Sequence, residues 1–309
     1  MNHGQVDRAL LHWDGVFNAR QTRRVRTPAL GTLPARANAV RQRLAGIVRR
    51  APQALVRISG GGRGMRAIRA HLDYISRHGR LALLDQDGEL VRGREALAWL
   101  AYEWQSGGMP IAERCGRREA LNIVLSMPAG TDAGALLGAA REFARDEFDG
   151  HQYALVLHRY EEDPGRHPSP HPHVHLCVKM AAEDGRRLNP RKADLRRWRA
   201  RFAERLREHG IEAAASGRLE RFERQRRYRQ STHHLRQRGE STFAGPQDSA
   251  AVAPLVARHE LPMLQRYGEV ARLLAGSEDG ADRALAVGLV QWCGRTRERE
   301  RDPGSGRER

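Results

Sequence analysis

Three histidines at alternate positions, His171, His173 and His175, run straight into Leu176-Cys177-Val178-Lys179-Met180. Alternation with a period of two is the mark of a β-strand, whose successive side chains point to opposite faces. On such a strand the histidines and Cys177 share one face, while Val174, Leu176 and Val178 form an apolar row on the other. Imidazole is the commonest protein metal ligand, and a rigid row of imidazoles pre-organises much of a coordination sphere. The competing reading is a histidine-rich loop without a ligand; the apolar row behind the histidines favours the strand. The spacing therefore predicts a half-buried strand from His173 to Met180 that carries a candidate metal face.

A second strand is expected from Gln152 to His158, followed by a loop from Arg159 to Pro172 that contains four prolines. With no helix between them, the two strands should pair antiparallel. Pairing brings His158, at its strand end, towards His173 and His175, with His171 and His167 as rivals for the third ligand position. Three protein ligands with open positions describe a catalytic metal rather than a structural one. Cys115, Cys177 and Cys293 are distant and odd in number, which gives neither a disulfide framework nor a CxxC site. Cys177 is read as a small buried thiol, with a thiolate ligand as the alternative.

The rest of the chain supplies strands and helices in alternation. Ala54 to Ser59 reads as a strand broken by Gly60-Gly61-Gly62, and a helix from about Gly64 to His78 should close at Gly79. Asp87-Gly88 between apolar pairs signals a hairpin. A helix is expected near Glu95 to Trp104, a strand from Ala120 to Met127, and a helix from an N-cap at Thr131 to about Phe148. This mixture gives an α+β class, with helices flanking an antiparallel sheet.

The formal net charge of +17 selects for polyanions, and nucleic acid is the usual one. Lysine occurs only at Lys179 and Lys192, so the positive charge is almost all arginine, which grips phosphate bidentately. Residues 186–240 hold 18 Arg or Lys against 7 Asp or Glu, and include a helix with an apolar stripe of Leu195, Trp198, Phe202 and Leu206. The stripe should dock, leaving the arginines to solvent or phosphate. Residues 1–52, with ten arginines by position 50, read as a basic, disordered arm, 241–294 as a small helical region and 295–309 as a charged, disordered tail. No run of about 18 apolar residues or signal-peptide core is present, so a soluble, cytoplasmic protein without membrane insertion is expected.

Within the helix that follows Gly64, Met65, Ile68, Leu72 and Ile75 make one apolar stripe and Tyr74 lies on the far side. A tyrosine there is not needed for packing; the simplest account is a surface residue. His71, Arg77, His78 and Arg80 nevertheless make its surroundings electropositive, which favours phenolate. A tyrosine, a histidine-bound metal and a basic surface together suggest phosphoryl transfer, with phenolic oxygen attacking a DNA phosphorus. The base that would activate the tyrosine is not legible; Asp73 is adjacent but points elsewhere on a helix.

The order Arg57-Ile58-Ser59-Gly60-Gly61, Ala70 to Leu81 with Tyr74, Asn122 to Pro128, His158 and His171-Pro172-His173-Val174-His175-Leu176 resembles the relaxase domain of plasmid mobilisation proteins. More narrowly, it is similar to the branch containing the T-DNA border endonuclease, among the HUH endonucleases. The resemblance covers roughly residues 53 to 190. It implies a central five-stranded antiparallel sheet, a divalent cation such as Mg²⁺ or Mn²⁺, and strand-specific nicking of single-stranded DNA at an origin of transfer through a 5′-phosphotyrosyl intermediate. Tyr74 matches the family's nucleophile, His173 and His175 match two metal ligands and His158 the third. The longer loop from Arg159 to Pro172 departs from the usual spacing and keeps His171 as an alternative. Arg77, Arg80, Arg191, Arg196, Arg197 and Arg199 are expected to contact DNA, the last four from an arginine-rich helical extension over residues 191–240. Accessory relaxosome proteins, a type IV coupling protein and export to a recipient cell with the bound strand are implied partners and fate. A rolling-circle replication initiator and a non-catalytic DNA-binding protein with a degenerate metal site are the alternative readings.

Overall fold

The computed structural model describes residues 1–19, 32–165, 168–217, 219–221 and 253–301. It divides into two compact units, residues 1–50 with 216–309, and residues 51–215.

The unit spanning 51–215 holds the sheet. Its strands are β1 (Leu55–Gly60), β2 (Leu83–Asp85), β3 (Leu90–Val91), β4 (Ala120–Ser126), β5 (Tyr153–His158) and β6 (His173–Lys179). They lie in the order β1-β4-β6-β5-β2-β3 with every neighbour antiparallel. The sheet thus has six strands rather than five, because the hairpin at Asp87-Gly88 attaches through β2 to β5. Each face carries helices. Val174, Leu176 and Val178 of β6 are fully buried with Leu121, Ile123 and Leu125 of β4 against α5 (Ala133–Glu147) and α6 (Lys192–Glu208). The opposite face, with Cys177, Ala154 and Val156, packs against α3 (Met65–Ile75) and α4 (Gly93–Ser106) through Ile68, Leu72, Leu100 and Trp104.

The helix ends differ from expectation at two places that matter. The N-cap of α5 is Asp132, not Thr131; its carboxylate accepts from the Ala135 N–H at 2.6 Å. Helix α3 stops at Ile75 instead of running to His78, because Arg77 (φ 53°) and His78 (φ 60°) turn left-handed ahead of Gly79 (φ 78°). This turn is stitched by Leu81 N–H to Ser76 O at 2.8 Å and His78 N–H to Asp73 O at 2.8 Å. Left-handed backbone costs an ordinary residue roughly 1–2 kcal/mol, so two in succession must be held by their surroundings.

The domain boundary after residue 190 also moves. Helix α6 belongs to the sheet unit, since Trp198, Phe202 and Leu206 are buried in the core it shares with α5. Three of its arginines face acids of α5 rather than a free surface: Arg197 and Arg201 pair with Glu147, and Arg205 with Asp146. Of the proposed extension, residues 222–240 lie outside the described residues.

The second unit corrects the expectation of a disordered N-terminal arm. Helices α1 (His3–Ala19) and α2 (Leu33–Arg49) form a core with α7 (Ala253–Ala275) and α8 (Gly280–Arg301). Val6, Leu10 and Trp13, and again Val40, Leu44 and Ile47, recur at i, i+4 and i+7, which is one helical face each. The arginine-rich composition hid that spacing. Arg41 meets Asp7 and Asp282 at 2.6 Å each, both carboxylates 1% exposed. The charged tail is helical up to Arg301, and 302–309 lie outside the described residues.

Candidate active site

The three histidines meet because of strand register. In the β5–β6 pair His158 lies opposite His173 and Val156 opposite His175. Strand alternation then turns His173 and His175 to the face that α3 covers, while Val174 goes to the other core. The ring centroids of His158, His173 and His175 are 4.7–5.0 Å apart, and one nitrogen from each lies within 4.8 Å of the other two.

The donor chemistry fits a cation. Nδ1 of His173 bonds the carbonyl of His171 at 2.9 Å, which leaves its Nε2 free and fixes the ring. Nδ1 of His175 is buried with no hydrogen-bond partner, an orphan of the kind that a ligand satisfies. Burial, reinforced by the neighbouring imidazoles, pushes His175 down to about 3, and burial lowers His158 as well. His175 therefore stays neutral at pH 7, the form that binds metal.

His158 is tied more closely than the other two. Its Nε2 is 2.7 Å from the carbonyl of Ile75 and its Nδ1 3.0 Å from the Asp163 carboxylate. As a metal ligand it would use a nitrogen released from one of these contacts. His171 stands outside the cluster, with Nδ1 accepting from the Ala129 N–H at 3.0 Å; His167 lies outside the described residues. Cys177 is not a ligand in waiting: burial pushes its thiol up to about 12 and it donates towards Asn122 Oδ1.

Tyr74 sits at the end of α3, 60% exposed, one residue before the carbonyl that His158 holds. Arg77, whose guanidinium carbon is 5.1 Å from the Tyr74 ring centroid, also reaches His158 Nδ1 at 3.3 Å, so one side chain touches both the tyrosine and the histidine cluster. Asp73 pairs with His78 at 2.6 Å.

His71, read from the sequence only as positive charge around Tyr74, lies one turn before it with its Nε2 buried and without a partner, and burial lowers it, which works against that charge. Asp163 escaped the reading of the sequence; it grips Arg77 and His158 from a proline-rich loop that carries no periodicity. Of the arginines expected at DNA, Arg80, Arg191 and Arg196 are exposed and Arg199 is half-buried; Arg77 pairs with Asp163 and Arg197 with Glu147.

Residues 103–211 match a family model described as "Relaxase: MobA/VirD2-like, nuclease domain". Over that span, which contains β4 to α6 and both histidine strands, the relaxase resemblance is shown; Tyr74 lies before it. Among solved structures, one from work on the molecular basis of vancomycin resistance transfer in Staphylococcus aureus is 13% identical over 54% of this chain and 99% of its own, with a TM-score of 0.32. No curated protein matches the chain. Among the described residues no helix is long and apolar enough to cross a membrane.

Proposed function

We propose that this chain is a conjugative DNA relaxase, which nicks one strand of single-stranded DNA at an origin of transfer and keeps the 5′ end as a phosphotyrosine. The observation that carries the reading is the cluster of His158, His173 and His175 beside the turn that bears Tyr74, within reach of one shared side chain. A relaxase-like nuclease segment across the histidine strands supports it.

The three histidines would hold a divalent cation, Mg²⁺ or Mn²⁺, which when bound supplies positive charge for the oxygens of the scissile phosphate. Tyr74 supplies the nucleophile. Its hydroxyl oxygen bonds to phosphorus, the bond from phosphorus to the ribose 3′ oxygen breaks, the phenol loses its proton and the 3′ oxygen gains one. One phosphodiester replaces another, so the reverse attack by a 3′ hydroxyl religates the strand. The exposure of Tyr74 leaves its hydroxyl open to a strand laid across the site. Exposed arginines, with Arg80, Arg191 and Arg196 among the candidates, would hold the phosphate backbone without reading its sequence. Accessory relaxosome proteins, a type IV coupling protein and passage from a bacterial cytoplasm into a recipient cell belong to the same reading.

The test is covalent capture. Purified protein is incubated with Mn²⁺ and single-stranded oligonucleotides that tile the DNA flanking its gene, and adducts are resolved under denaturing conditions. An adduct with wild type that disappears in Tyr74→Phe is the expected result. An adduct that persists in Tyr74→Phe refutes the nucleophile, and oligonucleotide binding with no adduct from any tile points to a binding module.

A further inference from the structure

Arg77 is expected from sequence to contact DNA, yet its fork is already filled. Nε and Nη2 donate to Oδ1 and Oδ2 of Asp163 at 2.7 and 2.8 Å, a bidentate pair whose carboxylate is 2% exposed. Nη1 donates to the Tyr74 carbonyl at 3.2 Å, while Nη2 also lies 3.3 Å from His158 Nδ1. Hydrogen bonding to Asp163 raises the guanidinium above its ordinary value. Pulling Arg77 away to meet a phosphate would strand the buried Asp163 charge, which is strongly unfavourable.

The same contacts form two straps on one turn. His158 holds the Ile75 carbonyl from the strand end, and Asp163 holds Arg77 from the loop beyond it. Gly165 closes behind them: its N–H donates to Asp163 Oδ1 at 2.9 Å, and a Cβ there would come within 3.0 Å of that oxygen and 3.2 Å of Arg77 Nη2. The left-handed backbone of Arg77 is then explained, since it aims the side chain back across its own helix end.

We infer that Arg77 is a positioning residue, clamped by Asp163, which fixes the Tyr74 turn against the histidine strands and does not serve as a phosphate contact. This rests on the relaxase reading for its catalytic consequence, because a displacement of about 1 Å in a reacting group can cost on the order of 100-fold in rate. The clamp itself is a statement about this chain alone.

Arg77→Ala, Arg77→Lys, Asp163→Asn and the Arg77→Ala/Asp163→Asn double variant separate the roles, with circular dichroism confirming that each is folded. With saturating oligonucleotide, Arg77→Ala and Asp163→Asn should each slow adduct formation about 10- to 100-fold. The double variant should be no slower than the worse single, since both cut one connection. Arg77→Lys should recover part of the rate, and affinity for oligo-dT with its salt dependence should stay within about twofold for all. Loss of oligo-dT affinity with a shallower salt slope in Arg77→Ala, together with full activity in Asp163→Asn, would overturn the inference in favour of a phosphate contact. Hydrogen exchange at residues 75–81 tests the clamp without DNA. Faster exchange in both single variants supports it and unchanged exchange refutes it, even if no adduct ever forms with wild type and the relaxase reading fails.

Discussion

A histidine at a metal site has to be neutral, oriented and short of a hydrogen-bond partner at one nitrogen, and His175 meets all three conditions. It is held on β6, its Nδ1 has no protein partner, and burial keeps it unprotonated far below neutral pH. His173 meets the second through its bond to the His171 carbonyl. Replacing either by alanine should reduce Mn²⁺ affinity at least 10-fold and abolish adduct formation, while oligo-dT affinity stays within about twofold, because that affinity rests on arginine and phosphate. Titration of Mn²⁺ by electron paramagnetic resonance alongside fluorescence anisotropy checks both halves. Retained cleavage in either variant would count against the metal site. His171, whose ring caps the Ala129 N–H outside the cluster, should tolerate alanine in the same assays.

The turn after α3 decides where Tyr74 points, and Gly79 makes that turn possible. Its φ of 78° is costly for any residue with a side chain, and a Cβ there would lie 2.7 Å from the Gly93 carbonyl carbon and 3.0 Å from Arg94 N. Both neighbours are backbone and cannot rotate away. Gly79→Ala should therefore destabilise the sheet unit by about 2 kcal/mol or more, read from urea unfolding, and should slow any adduct formation by disturbing the turn. The sequence made the strands and the apolar stripe of α3 readable, because Val174, Leu176 and Val178 or Met65, Ile68, Leu72 and Ile75 declare a period by themselves. It did not make the end of α3 readable. Arg77 and His78 are not residue types that declare a left-handed turn, and besides the turn's own bonds Arg77 is held from 86 residues further on, by Asp163. Asp163 was equally hidden, as one of three acids in a loop without periodicity. Arginine composition masked α1 and α2 for a related reason: charge counted along the chain says nothing about which face of a helix carries it.

At the scale of the whole molecule, the bundle unit has a feature sensitive to acid. Arg41 bridges two nearly inaccessible carboxylates, Asp7 of α1 and Asp282 of α8, so helices from the two ends of the chain depend on one cation. Burial alone would push the Asp282 carboxyl up, but hydrogen bonds from Arg41 and Ser277 and the guanidinium charge overcome it and hold the group below its ordinary 3.8. A carboxyl depressed in the folded state contributes stability that is fully present above its unfolded pKa and is lost as pH falls through the folded value. The bundle should keep that contribution at neutral pH and shed it only below about pH 4. Arg41→Met leaves both carboxylates buried without the guanidinium, and should cost about 3–5 kcal/mol at pH 7, with part of the loss recovered on acidification as the Asp282 carboxyl is neutralised. Denaturant unfolding of Arg41→Met and wild type at pH 7 and near pH 4, followed by tryptophan fluorescence, measures both. The gap between the two proteins should narrow as pH falls; a gap that is constant with pH would mean that Arg41 acts through its packing alone and that the carboxylates contribute nothing to holding the helices together.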